Sequence, residues 1–297
     1  MSAILVKSGW ETARDRGAAE RADLITRLQR EGAWDLVKKL DKCGEVMRLV
    51  CANCGSKKAV EMSCMRRWCP ACAYQVKRER LKRFDQTARA MKWPLFVTLT
   101  KRNTGDPECI REIRADWGRM RRRKLLESKI KGGIATIEIT NTGNGWHPHL
   151  HILCDCKWLA LHVPAPTFAD SVDVKRQKYD HARLELSALW CSVIKQDQSI
   201  VSALRAKPGE ALAYALKYAI KGSDLINSQD DIAPMIRVLE KSRMISAFGD
   251  LYALDAELQD DERPKCTCKD CGEASTYMPD WVVDKLYIQS YDRRLGK

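Results

Sequence analysis

Apolar and polar residues alternate along two neighbouring stretches near the middle of the chain, Ile134–Thr140 and His147–Cys154. In the first, Ala135, Ile137 and Ile139 share one side, and Thr136, Glu138 and Thr140 share the other. In the second, Pro148, Leu150 and Ile152 oppose His147, His149 and His151. A period of two is strand spacing, so each stretch predicts a β-strand with one core-directed face. The intervening NTGNG (Asn141–Gly145) is rich in residues that tolerate positive φ, and the pair reads as an antiparallel hairpin. With its turn near Gly143 or Asn144, Glu138 falls opposite His149 and on the same face. Leu95–Thr100 predicts a further strand. Pro107–Lys131 reads as a basic helix between that strand and the hairpin. Val163–Asp173 reads as a loop, and Tyr179–Lys195 as a helix. The first forty residues, with Trp10, Trp34 and LITRL, predict helices of an appended element. After Asp224 the periodic signal thins, and Tyr277–Tyr291 predicts a short closing helix or strand.

Pro208–Asp224 (PGEALAYALKYAIKGSD) predicts a helix of about fourteen residues, bounded by Pro and Gly at its start and Gly222 near its end. At 100° per residue, Glu210, Tyr214, Lys217, Tyr218 and Lys221 fall within an arc of roughly 100°. Leu212, Leu216, Ala219 and Ile220 take the opposite, core-directed side.

The formal net charge of +13 changes the picture. Much of the excess lies in Lys77–Phe84 and Arg119–Lys131, and so basic a chain suits a polyanion, nucleic acid first. A His149, His151 and Glu138 set suits a divalent metal that keeps open positions. Hard ions such as Mg²⁺ or Mn²⁺ match phosphate oxygens. Tyrosine hydroxyls can attack a DNA phosphodiester, and lysines one turn away offset its charge. No apolar run reaches membrane-spanning length and no signal peptide opens the sequence, so the expected location is cytoplasmic, with no membrane partner.

Thirteen cysteines in a reducing compartment argue for metal rather than disulfides. Cys51 and Cys54 form one CxxC and Cys69 and Cys72 a second, with 14 residues between them. Two such knuckles close a tetrahedral structural Zn²⁺ site. Cys64, between them, is an alternative fourth ligand. Cys266, Cys268 and Cys271 offer three more thiolates, either a weaker site that borrows Cys43 or Cys64, or cysteines of a tail.

LFVTLTKRN (Leu95–Asn103), EIT followed by HPHLHIL, and YALKYAIK occur in this order. Together they resemble the three motifs of rolling-circle plasmid replication initiators of the HUH endonuclease superfamily, over roughly Leu95 to Asp224, and the upstream cysteine module is similar too. The resemblance implies an α+β fold: an antiparallel five-stranded sheet flanked by helices, the histidine strand central, the tyrosine helix beside it and a zinc-knuckle module upstream. It places the metal pair at His149 and His151 and the nucleophile at Tyr218, within a KYxxK motif that supplies Lys217 and Lys221. Many plasmid initiators carry a glutamate four residues before that tyrosine. Here Tyr214 stands there, as in the two-tyrosine phage A-type initiators, and Glu210 one turn upstream is a candidate base.

The expected activity is nicking and rejoining of single-stranded DNA at an origin through a 5′-phosphotyrosine, with host helicase and polymerase as further partners. The expected layout is a helical extension over 1–45, a zinc module and basic helix over 46–92, the endonuclease domain over 93–225 and a cysteine-bearing extension over 226–297. A transposase of the same superfamily shares every one of these active-site residues. A zinc-containing DNA-binding regulator without catalysis is the alternative from another class.

Overall fold

The computed structural model describes residues 9–73, 84–85, 88–89, 91–206, 212, 225–252, 268, 270–272 and 277–279. The chain divides into two units, one of residues 1–37 and 65–259, the other of 38–64 and 260–297. Among the described residues, no helix is long and apolar enough to cross a membrane.

The larger unit is built on a five-stranded antiparallel sheet. Its strands are β3 (Pro94–Thr100), β4 (Gly132–Asn141), β5 (Trp146–Asp155), β6 (Val201–Arg205) and β7 (Ile245–Gly249), in the order β6-β3-β5-β4-β7. The strand that carries the histidines is therefore central, as expected. The hairpin register is also as expected, with Glu138 opposite His149. Its turn depends on Gly143 at φ 101° and Gly145 at φ 83°, conformations that side chains with a Cβ rarely adopt. Asn141 Oδ1 accepts from the Gly143 N–H at 3.0 Å and closes the turn.

The two sheet faces differ. Leu99, Ala135, Ile137, Leu150 and Ile152 are buried. They occupy the face opposite the histidines, since side chains alternate along each strand. Helix α3 (Cys109–Arg121) packs against β5 and buries Ile110, Ile113, Trp117 and Met120, residues three and four apart. The predicted helix over 107–131 is in fact two: α3 stops at Arg121 and α4 runs from Lys124 to Lys129. Arg119, Arg121, Arg122, Arg123 and Lys124 crowd like charges at the break, which a continuous helix would stack a turn apart. Helix α5 (Val172–Ile194) begins seven residues before the predicted Tyr179. Ser171 caps it by accepting from the Val174 N–H at 3.3 Å, and its first two turns bury no residue, Val172 and Val174 included. The Trp190 indole donates to the Thr100 carbonyl at 2.8 Å and fixes α5 to the end of β3.

At the N-terminal end, α1 (Gly9–Arg30) buries Leu24 and Leu28. Beyond it come α2 (Trp34–Leu40) and, near the other end of the unit, α6 (Ile232–Glu240). Glu31, just past α1, accepts from the Ile232 and Ala233 N–H groups at 2.8–3.1 Å. A carboxylate there meets the unpaired donors and positive dipole end of α6. Of the basic helix expected at the end of the 46–92 module, Phe84, Asp85, Ala88 and Arg89 are helical, and residues 74–83, 86–87 and 90 lie outside the described residues.

The smaller unit holds a three-stranded antiparallel sheet in the order β2-β1-β8: β1 is Val46–Cys51, β2 Lys57–Glu61 and β8 Tyr277–Pro279. Of the closing segment predicted over Tyr277–Tyr291, Tyr277–Pro279 form this strand, and residues 280–291 lie outside the described residues.

Candidate metal centre and active site

Three adjacent strands present the site. On β5, His149 and His151 project from one face, and their register partners are Glu138 and Thr136 on β4 and Thr100 and Thr98 on β3. One ligand atom from each of Glu138, His149 and His151 lies within 4.8 Å of the others. His151 and Glu138 are each 5% exposed, and His151 Nε2 stands 2.9 Å from Glu138 Oε2. Phe96 stacks on the His151 ring at 5.5 Å between centroids and 14° between planes. His149 is half-buried, its ring 6.0 Å from that of His151. His147 comes next, with its Nδ1 3.1 Å from His149 Nε2. Burial pushes the His147 ring below its ordinary pKa, and a hydrogen bond with the Lys101 backbone opposes that shift.

Two imidazoles and a carboxylate on a rigid sheet are a fitting donor set for a divalent ion with open positions. Thr136 Oγ1, buried beside them, finds no hydrogen-bond partner among the described residues. Thr98 supplies what a ligating histidine needs behind it, since its Oγ1 is 3.1 Å from His151 Nδ1. A hydroxyl both donates and accepts, so Thr98 can hold His151 in either tautomer. With Nε2–H turned to Glu138, the hydroxyl donates to Nδ1. With the Nε2 lone pair turned to an ion, Nδ1–H donates to the hydroxyl. Thr98→Val is expected to weaken Mn²⁺ binding about 10- to 100-fold, with Thr98→Ser near wild type. Electron paramagnetic resonance during a Mn²⁺ titration reads this, and wild-type affinity in the valine variant would remove Thr98 from the role. Neither Thr98 nor Thr136 was a sequence candidate. Both follow once His151 has a register, as the residues facing it on either side.

The histidine face continues into an apolar cluster of Phe96, Ile134, Leu153, Ala247, Phe84, Ala88, Met91 and Leu212. Phe96, Leu153 and Ile134 lie two positions along β3, β5 and β4 from Thr98, His151 and Thr136. Leu212, predicted to face the core, is 3% exposed and packs there. Leu212 itself is thus held on the histidine side of the sheet. Glu210, Tyr214, Lys217, Tyr218 and Lys221 themselves lie outside the described residues.

Residues 56–288 match the replication protein family. The chain belongs to that family. The match spans the histidine hairpin, the tyrosine segment and Cys268 to Cys271, and it bears out the resemblance to rolling-circle plasmid initiators. A replication initiator binds DNA, and the family favours that reading over the transposase. Among curated proteins, the chain is similar to a "Protein rep" of Staphylococcus aureus, 27% identical over 206 residues, which is 65% of this chain and 80% of that protein. No solved structure matches the chain.

The cysteines group differently from the sequence expectation. Cys51 and Cys54 gather with Cys268 and Cys271 inside the smaller unit, all four ligand sulfurs within 4.8 Å of one another. Cys69 and Cys72 belong to the larger unit and take no part in that group. Proximity in sequence misled here, and the local geometry of the knuckles explains why. Cys69-Pro70-Ala71-Cys72 opens a helical turn, with the Ala73 N–H donating to the Cys69 carbonyl at 2.9 Å. Cys51 and Cys54 sit instead at the end of a strand, in a turn closed by a glycine.

Proposed function

We propose that this replication initiator nicks one DNA strand at its origin by attack of Tyr218 on a phosphodiester. The observation that carries the reading is the convergence of Glu138, His149 and His151 on the central strand of a replication-family chain. Leu212, six residues before Tyr218, adds to it by packing on the same sheet face. The Tyr218 oxygen bonds to phosphorus as the bond to the 3′ oxygen breaks. A 5′-phosphotyrosine forms, the phenol gives up its proton, and the 3′-hydroxyl leaves protonated. Lys217 and Lys221 favour the phenolate and offset charge on the phosphoryl oxygens. A Mg²⁺ or Mn²⁺ ion held by Glu138, His149 and His151 supplies a Lewis acid for the scissile phosphate. The released 3′-hydroxyl is a primer for a host polymerase, and the phosphotyrosine keeps the bond energy needed for rejoining. Tyr214 serves as the second nucleophile, acting while Tyr218 still carries DNA.

The test is incubation of the purified protein with a labelled single-stranded origin oligonucleotide, followed by a denaturing gel and peptide mapping. A covalent adduct on Tyr218 is expected. EDTA should abolish it, and Mn²⁺ or Mg²⁺ should restore it. Adducts on neither tyrosine would leave a DNA-binding regulator without catalysis.

A further inference from the structure

We propose that Cys51, Cys54, Cys268 and Cys271 hold one Zn²⁺ ion in a ribbon made from two distant parts of the chain. The inference is independent of the nicking chemistry, because it rests on the smaller unit alone.

The first observation is the sulfur geometry. Cys51 Sγ lies 4.0 Å from Cys271 Sγ, and Cys54 Sγ lies 3.7 Å from Cys268 Sγ. Zn–S bonds of about 2.3 Å in a tetrahedron place sulfurs about 3.8 Å apart. Both cross-pairs sit near that value and far beyond the roughly 2.05 Å of a disulfide.

The second observation is that the two halves are copies of one another. Cys51-Ala-Asn-Cys54-Gly55 and Cys268-Lys-Asp-Cys271-Gly272 share the pattern C-x-x-C-G. Gly55 has φ 73° and Gly272 φ 74°. Each glycine N–H donates to the carbonyl of the first cysteine at 2.9 Å. This is the turn that aims two thiolates at one point, and the left-handed glycine is what lets the chain leave it. Cys69–Cys72 makes the same bond, from the Ala73 N–H to the Cys69 carbonyl at 2.9 Å, but has Ala73 where the other two knuckles have the left-handed glycine.

The third observation is the scaffold and its polar support. Strands β1 and β8 pair antiparallel, with Cys51 opposite Tyr277 and Val50 opposite Met278. Backbone pairing therefore brings the two knuckles together before any ion is considered. Cys51 and Cys268 are each 1% exposed. Ser56 Oγ is 3.2 Å from Cys268 Sγ and can donate to it as a thiolate, while the Ser56 carbonyl accepts from the Cys51 N–H at 2.8 Å. Outer-sphere donors of this kind orient metal thiolates.

The experiment uses the full chain. Cys54→Ser and Cys271→Ser should each lower zinc content, read by elemental analysis, by about one equivalent relative to wild type. The double variant should lose the same single equivalent. A Cys271→Ser protein that keeps the wild-type zinc count would overturn the proposal. Because such variants can misfold, the wild type gives a second readout. Cysteine alkylation mapped by mass spectrometry during a chelator titration should expose Cys51, Cys54, Cys268 and Cys271 together, at one chelator concentration. Exposure of the Cys51 pair and the Cys268 pair at different concentrations would overturn it, as would disulfides at these positions in reduced, zinc-loaded protein.

Discussion

A Tyr218→Phe protein is expected to form at least about 10³-fold less covalent adduct with an origin oligonucleotide, because the change removes the attacking oxygen and nothing else from the ring. Duplex binding should stay within about twofold. In the helix that the sequence predicts over Pro208–Asp224, Tyr214 stands one turn before Tyr218, about 6 Å along the axis at 1.5 Å per residue. On that expectation the two rings serve different phosphates or different poses. Tyr214→Phe should leave the first nick largely intact and impair the second transfer that closes a displaced circle. Gel analysis of each variant, with peptide mapping of the wild-type adduct, separates the roles. An adduct on Tyr214 alone in the wild type would reverse them.

The second large effect is expected at the histidines. Losing a ligand forfeits the several kcal/mol of charge stabilisation that a bound ion gives a phosphoryl group. At about 1.4 kcal/mol per decade, that is on the order of 10³-fold in nicking rate or more. His149→Ala is the cleaner variant, since its ring is half-buried. His151→Ala also removes the partner of Glu138 and the ring stacked on Phe96, so a fall in thermal stability should accompany the lost activity. Duplex binding by folded protein is expected to survive both changes. Full nicking by the His149→Ala, His151→Ala double variant would sink the metal assignment.

The histidine sheet was legible where the pattern was strong. Strands β4 and β5 alternate over Ala135–Thr140 and His147–Ile152, β3 is a run of Leu, Phe, Val and Thr that reads as a buried strand, and a turn with two glycines pins the register that sets Glu138 opposite His149. Strands β6 and β7 have five residues each, too few for a pattern to declare itself, and their place is set by pairing to β3 and β4. Helix α6 carries a strongly apolar face but opens with Pro234 in its first turn, and its start is fixed by Glu31 from two hundred residues earlier. No local reading finds such a cap. The cysteine partners were misread for a related reason. CxxC spacing measures distance along the chain, whereas the glycine after Cys54 and after Cys271 marks which turns are alike.

The ribbon also imposes an order on biosynthesis. A chain emerges from the ribosome N-terminus first, at about 5–20 residues per second. All five strands of the histidine sheet have been made by Gly249, while Cys51 and Cys54 must wait until Cys271 appears. For the interval between, a nascent chain holds every strand of its histidine sheet and half of the proposed zinc site. A chain released early, by a stop codon or a protease, leaves two thiolates of β1 and its knuckle open to oxidation and to rival metals. If the ribbon binds zinc as proposed, synthesis past Cys271 is thereby written into the metal content of the protein.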